Sequence, residues 1–535
     1  MSKLRVIESG KTIGDLFTNL ARQEEIPVSV HNEEEKMYAM LKFLDDEKSP
    51  YIVSRDQSIS LESGQKTELT FFYKETFINF FTSVEDIADE KYFIKKPSSI
   101  RTSYNRTKTR YNVKKKDNVF VVIYGVSDRY PAIDISTSGI SFEADRELFG
   151  EGQAIRNIMI TLGNDLPVYV DGIVKYVKSI GDGCFRFGIE FLSIEWMFYQ
   201  KIFSFVFEKG YPDIKQMRDY SIEDISNLYN ESKYIAPKNS TYNKGMMTEI
   251  LKVERLKDKP MIAMNLVQQK NENIVAVASA VRNFNKGFYV QKILTVPDEE
   301  VENVQRTDMY AGIADGLLGH PYFETLIMYV NDDVEWDMEM FRIMQEIIDD
   351  ETKVSFKGFN IYACSVEQCL NEVNLVTNKT DDFSNFLKWV NTSSNSLEMS
   401  AYSYNKGQFW LGKLKENYRI SNFEINRDLF EVKNGEDIIA YAVSETVSKD
   451  IDIDGFMNGF RLYLVDENVE VDDVIASLVE VVKPIFTQKG IESFKIIVDH
   501  DVSISSLCEV ESTHRLLMSR EGVVEFLYFL KANIV

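Results

Sequence analysis

The segment Glu272-Asn273-Ile274-Val275-Ala276-Val277-Ala278 returns 164 positions later as Glu436-Asp437-Ile438-Ile439-Ala440-Tyr441-Ala442. Further on, residues 326–330 followed by Asn331-Asp332-Asp333-Val334 match residues 494–498 followed by Asp499-His500-Asp501-Val502, at an offset of 168. Two matches at nearly one offset mark a duplication, and a unit of this length is far too long for a solenoid repeat. Each copy reads strand, strand (287–296; 459–465), helix (307–318; 471–488), strand, from the change of hydrophobic period along it. The second half of the chain is therefore predicted to hold two related α/β domains.

Length and charge set the frame around that pair. A chain of 535 residues is too long for one core and points to about three or four domains. Net charge is -23, from 61 basic and 84 acidic side chains, so the long-range field repels polyanions and excludes nucleic acid as a main partner. No apolar run reaches the roughly 18 residues of a membrane span, and the opening MSKLRVIESGKT has no apolar signal core, so a cytoplasmic protein without a membrane span is expected. Cys184, Cys364, Cys369 and Cys508 fit no disulfide framework, and Cys364 and Cys369 lack the spacing of a zinc pair. His31, His320, His500 and His514 are scattered. Residues 450–455, Asp-Ile-Asp-Ile-Asp-Gly, resemble the first part of a calcium loop, but Arg461 stands where its last glutamate belongs. Acid clusters at Asp332-Asp333 and Asp349-Asp350-Glu351 read as solvated loops and helix ends, and no metal is expected.

Against this acidic background, residues 101–116 carry seven basic side chains and no acidic one. Arg106 and Arg110 form an Arg-x-x-x-Arg pair there, and Asp134, Ser136 and Gly139 form Asp-x-Ser-x-x-Gly shortly after. An arginine fork donates two parallel hydrogen bonds to a phosphate or to guanine O6/N7, and its face stacks on a base. A short carboxylate accepts from guanine N1 and N2 donors, a serine offers a hydroxyl, and a glycine lets backbone approach closely. Each motif alone is usually a solvated face or an ordinary turn. Their order, with a strand at 119–124 between them and another at 185–191 after them, resembles the PilZ domain. That resemblance implies cyclic di-GMP as ligand, held by Arg106, Arg110, Asp134, Ser136 and Gly139, with Arg101 reaching in from the arm. The residue before Arg106 is Asn105 rather than a further arginine, which favours one nucleotide over a stacked pair.

The remaining boundaries follow from pattern. Residues 1–98 carry an amphipathic helix near 13–23 and then short alternating strands at 26–30, 37–43, 51–53, 67–73 and 76–82, which predict a small β-barrel. This order resembles the N-terminal partner domain of flagellar-brake-type PilZ receptors. Residues 99–210 are assigned to the PilZ domain, a six-strand barrel closed by a helix at 194–207. Residues 211–385 and 386–535 are the tandem α/β copies, whose order resembles the GNAT acyltransferase core. The fold class is thus multi-domain: two N-terminal β-barrels, then two α/β GNAT-like domains in tandem.

Active GNAT members hold the acetyl-CoA pyrophosphate on a loop of pattern Gln/Arg-x-x-Gly-x-Gly/Ala at a helix N-terminus. Here residues 299–308 and 466–473 lack those glycines and place carboxylates where the pyrophosphate would sit. Both copies are therefore expected to be catalytically degenerate. The whole reads as a non-enzymatic cyclic di-GMP receptor that changes domain orientation or partner binding. The brake-type resemblance implies a role in motility or surface behaviour, with an unidentified protein partner and the option of a homodimer. The alternative is a cyclic di-GMP-regulated GNAT-type acyltransferase.

Overall fold

The computed structural model describes residues 5–7, 10–21, 26–31, 36–43, 50–54, 61–73, 76–88, 91–104, 110–126, 128–181, 183–216, 220–231, 250–252, 254–270, 273–291, 293–296, 302–331, 335–368, 370, 373–448, 451–452, 456–466, 468–499 and 501–533. The chain divides into two compact units, essentially Met1–Pro212 and Asp213–Leu530. Among the described residues no helix is long and apolar enough to cross a membrane.

The first unit begins with β1 (Arg5–Ile7), helix α1 (Gly10–Leu20), β2 (Ile26–His31), β3 (Lys36–Phe43), β4 (Pro50–Ser54), β5 (Lys66–Tyr73), β6 (Thr76–Ala88), β7 (Lys91–Ile94) and β8 (Ile100–Tyr104). The strands run in the order β1-β8-β6-β5-β2-β3-β4-β7, and β7 also pairs with β6. Six strands thus close on themselves, while β8 and β1 continue outward from the long β6. Ile13, Phe17 and Leu20 lie four and three apart on α1 and enter the core beside Val28, Leu41, Leu69 and Phe80.

A second barrel follows from β9 (Arg110–Asn112), β10 (Phe120–Ile123), β11 (Arg129–Ser136), β12 (Gly139–Ala144), β13 (Ala154–Thr161), β14 (Val168–Gly181) and β15 (Cys184–Ile194). Its order is β10-β13-β14-β15-β12-β11-β9, and β10 also pairs with β11, so six strands close the ring and β9 lies on the same edge of β11 as β10. Alternate residues point inward: Val121, Ile135, Phe142, Ile158 and Phe187 are buried, with the Phe142 and Phe187 rings stacked 5.3 Å apart. Each such side chain contributes about 1.5–3 kcal/mol by leaving water. Helix α2 (Trp196–Gly210) covers the core with Ile202 and Val206. Its Lys209 also reaches the buried Asp117 at 2.9 Å.

The second unit is built on one 13-stranded sheet. Its elements are β16 (Ile214–Gln216), α3 (Ile222–Glu231), β17 (Ala263–Lys270), β18 (Asn273–Arg282), β19 (Gly287–Val290), β20 (Leu294–Thr295), α4 (Glu302–Gly319), β21 (Thr325–Asn331), α5 (Glu335–Ile348) and β22 (Val354–Ser365). They continue with β23 (Val376–Thr380), α6 (Ser384–Ser393), α7 (Ser396–Ala401), α8 (Gly412–Ile420), β24 (Ile425–Asn434), β25 (Asp437–Val447), β26 (Gly459–Leu464), α9 (Val471–Gln488), β27 (Ser493–Asp499), β28 (Cys508–Ser519) and α10 (Arg520–Asn533). The strand order is β16-β17-β18-β19-β21-β28-β22-β27-β26-β25-β24-β23, with β20 on β18.

The duplication is visible in this order. Among the described residues only β19–β21 and β26–β27 pair in parallel, at Gly287 opposite Thr325 and at Gly459 opposite Lys495. The last strands, however, are exchanged. Strand β28 from the end of the chain pairs with β21 of the first copy, and β22 pairs with β27 of the second, while β22 and β28 pair with each other. The copies therefore share a sheet, and the core cluster around Val281 and Ile327 also takes in Tyr441, Val443 and Leu517.

Candidate nucleotide site on the second barrel

The basic arm enters the second barrel at Arg110. Strand β9 sets Arg110 opposite Ser136 and Asn112 opposite Asp134, so the short strand brings the arginine motif onto the strand that carries the aspartate. The guanidinium Nη1 of Arg110 donates to Asp134 Oδ1 at 3.0 Å. Their side chains keep 33% and 17% of their exposure, so the pair lies at the surface and within reach of a ligand.

The arm is fixed just beyond Arg110 by Asp117. This buried carboxylate accepts from the Tyr111 hydroxyl at 2.6 Å and from the Lys114 backbone N–H at 2.8 Å, as well as from Lys209. Burial alone would raise its pKa, but the hydrogen bonds from Tyr111, Lys209 and Lys114 outweigh it and hold the group at about 2. Burial, followed by the hydrogen bond to this anion, pushes the Tyr111 phenol up to about 12.

The turn between β11 and β12 uses its own polar groups. Ser136 is buried, and its hydroxyl donates to the Gly139 carbonyl at 3.3 Å and accepts from the Ser138 backbone N–H at 3.3 Å. Gly139 has an ordinary negative φ. A Cβ there would run into the carbonyl oxygen of Ile189 on β15. The serine and glycine of the motif thus shape the turn, while Asp134 and Arg110 present charge. Arg106 lies outside the described residues. Arg101 sits on β8, opposite Val6 and Asn79, at the edge of the first barrel.

The strand register brings further polar groups to the same face. Asp134 pairs with Ser141, Ser141 with Gly188, and Gly188 with Tyr176, forming one row across β11, β12, β15 and β14. Gly188 leaves space that the Tyr176 ring fills. The next row holds Glu143 and Arg186, joined at 2.5 Å. That hydrogen bond raises the Arg186 pKa against the effect of burial, and the charges of Tyr176 and Asp134 add to the rise. Small residues thus floor a patch rimmed by Arg110, Asp134, Glu143, Arg186 and Tyr176. Ser141 Oγ is buried in that floor without a hydrogen-bond partner. The segment 185–191 was recognisable as a closing strand, but only the register shows that Arg186 shares a face with Asp134.

No family model and no curated protein matches the sequence. Solved structures of two kinds are among those similar to the chain. Of one kind, the structure of K. pneumonia MrkH in complex with c-di-GMP is 13% identical, spans 38% of this chain and 95% of that one, and has a TM-score of 0.20. YcgR from Escherichia coli in complex with c-di-GMP is 12% identical over 37% of this chain and 88% of that one, with a TM-score of 0.18. The other kind is a tandem GNAT protein from the clavulanic acid biosynthesis pathway, 8% identical over 56% of this chain and 95% of that one, with a TM-score of 0.31.

Proposed function

We propose that the second barrel is a cyclic di-GMP receptor site and that the chain acts through it without catalysis. The observation that carries this reading is the Arg110–Asp134 pair. It places a planar cation and a carboxylate side by side at a surface whose neighbouring strands supply a second arginine, Arg186, and an aromatic ring, Tyr176. A cyclic dinucleotide needs both charges: a guanidinium for phosphate or guanine O6/N7, and a carboxylate for guanine N1 and N2. A simple anion would use only the cation. In this reading Arg106 completes the site from the arm and Arg101 from β8. The output is a change in domain orientation or in binding to a protein partner, in motility or surface behaviour.

Two features support a non-catalytic role for the GNAT-like copies. In the second copy the first turn of α9 carries Asp472 and Asp473, where an active member would receive a pyrophosphate. Asp472 accepts from the Ser505 hydroxyl at 2.5 Å and from the backbone N–H groups of Ser505 at 3.1 Å and Ser506 at 2.8 Å. These hydrogen bonds overcome burial and hold the carboxylate at about 2, so a fixed anion occupies the helix start. The first copy has Glu299 and Glu300 shortly before α4, both outside the described residues, and Glu302 at its first position.

The deciding experiment is a calorimetric titration of cyclic di-GMP into the purified chain and its Arg110→Ala variant. Binding at micromolar affinity or tighter, weakened about 100-fold in the variant, is expected; that ratio corresponds to about 2.7 kcal/mol. Absence of binding to the intact chain overturns the receptor reading, and equal affinity in the variant overturns the site.

A further inference from the structure

Charges on the outer face of the second barrel come in pairs. The row through Asp134 and Ser141 is flanked by Gly139 and Glu190 on one side and by Glu143 and Arg186 on the other. Between them Ile140, Phe142, Phe187 and Ile189 point into the core, and strand alternation therefore sends Glu143, Arg186 and Glu190 outward. Asp134 holds Arg110 at 3.0 Å, Glu143 holds Arg186, and Glu190 holds Lys175 at 2.6 Å. These acids and cations cancel one another on the face where the receptor reading seats an anionic ligand.

Arg186 is tied to its acid by two hydrogen bonds. Glu143 Oε1 accepts from Nε at 3.0 Å and from Nη2 at 2.5 Å, which turns one edge of the guanidinium toward the carboxylate. A phosphate takes an arginine by the same kind of edge, through two parallel N–H donors. The Arg186 and Glu143 side chains keep 41% and 33% of their exposure, more than Arg110 and Asp134 keep, so a ligand meets this pair at the surface.

Arg186 also lies within range of a ligand seated on Arg110 and Asp134. Only β12 separates β11 from β15, so the backbones of Asp134 and Arg186 stand two strand spacings apart across the sheet, about 10 Å. The Asp134 charge is felt at Arg186, where it adds to the rise in pKa. An exposed ion pair is weak, so a phosphate is able to displace the carboxylate, but opening the pair subtracts from the affinity. Once displaced, Glu143 stays beside the phosphate as a like charge.

We propose that Arg186 is a phosphate-binding residue of the nucleotide site and that Glu143 sets the affinity by competing with the ligand for it. In the occupied state a ligand phosphate takes the Nε–Nη2 edge of Arg186, and Glu143 turns to water. The inference rests on the receptor reading and adds to it a contact from β15 and an internal competitor for that contact. Asp134 restrains Arg110 in the same manner, but in that reading it also accepts from guanine, whereas Glu143 only competes.

Calorimetric titration of cyclic di-GMP into the full chain and into its Glu143→Gln, Arg186→Ala and Glu190→Gln variants tests it. Glu143→Gln should bind about threefold or more tightly than the parent, and Arg186→Ala about threefold or more weakly, the scale of one exposed ion pair. Glu190→Gln removes the same charge from the same face but frees a lysine, so its gain should be smaller than that of Glu143→Gln. Thermal melting identifies any variant that has lost the fold; Glu143→Thr, which suits a strand, or Arg186→Gln then takes its place. Unchanged or weaker binding by a folded Glu143 variant, unchanged binding without Arg186, or an equal gain in Glu190→Gln would overturn the inference and leave the receptor reading standing. No binding to the parent would overturn the receptor reading, and this inference with it.

Discussion

Arg110 and Asp134 satisfy each other across 3.0 Å, although each is the kind of group that a cyclic dinucleotide would recruit separately. A ligand at this surface must open the pair before using it. Because both side chains are partly exposed, the pair itself is worth about 0–1 kcal/mol, so opening it is cheap. Asp134→Asn is accordingly expected to leave the melting temperature within a few degrees of the parent while weakening cyclic di-GMP about tenfold or more, as read by thermal melting and calorimetry side by side. A large stability loss in this variant would show that the pair holds the barrel together instead.

Gly139 should behave in the opposite way. Its Cβ would strike the Ile189 carbonyl, so Gly139→Ala must push β12 away from β15 whether or not ligand is present. A loss of about 1–3 kcal/mol in urea unfolding is expected without nucleotide. An unchanged midpoint would return the glycine to a purely ligand-facing role.

Acid sensitivity should trace to Asp117. Its folded pKa of about 2 lies below the ordinary 3.8, so its stabilisation is fully present above 3.8 and is lost as pH falls toward 2. Asp117→Asn should therefore lower the melting temperature at pH 6, and the gap from the parent should narrow as pH approaches 2. A gap that stays constant across this range would assign the effect to lost packing.

Within the second unit, Glu445 compensates two buried guanidiniums at once. Glu445→Gln leaves both with no anion and should cost about 3–5 kcal/mol in equilibrium unfolding. A loss below about 1 kcal/mol would mean that water or another group already neutralises them.

Cys364 is buried, and desolvation pushes its thiol up to about 11. It should resist a disulfide reagent at pH 8 in the folded chain and react promptly in denaturant, which mass spectrometry of the labelled peptide would show. Rapid labelling of native Cys364 would contradict its burial.

The sequence made some of these relationships legible and concealed others. Alternation of apolar residues marked the strands of the barrels, and the repeated segments marked the strand-strand-helix-strand order that β18, β19, α4 and β21 share with β25, β26, α9 and β27. The exchange of β22 and β28 left no local trace. A buried strand needs the same apolar pattern whichever sheet edge receives it, so pattern cannot say which copy is the host. The motif Asp-x-Ser-x-x-Gly likewise marked a turn, but spacing alone could not show that Ser136 and Gly139 serve the turn while Asp134 faces outward. Arg186, Glu143 and the row through Ser141 and Gly188 come together only through register, which a linear motif does not encode.

The exchanged strands also bear on how this chain is made. Strand β21 ends at Asn331, yet its partner β28 does not begin until Cys508. At about 5–20 residues per second, the ribosome needs roughly ten to thirty seconds to deliver that partner after β21 has emerged. Until then an apolar strand edge of the first copy stands open in the cell, in need of a chaperone or a temporary neighbour. A nascent chain stalled before residue 508 would be a sticky, half-zipped species, and truncation near the carboxyl end would damage the earlier copy as much as the later one.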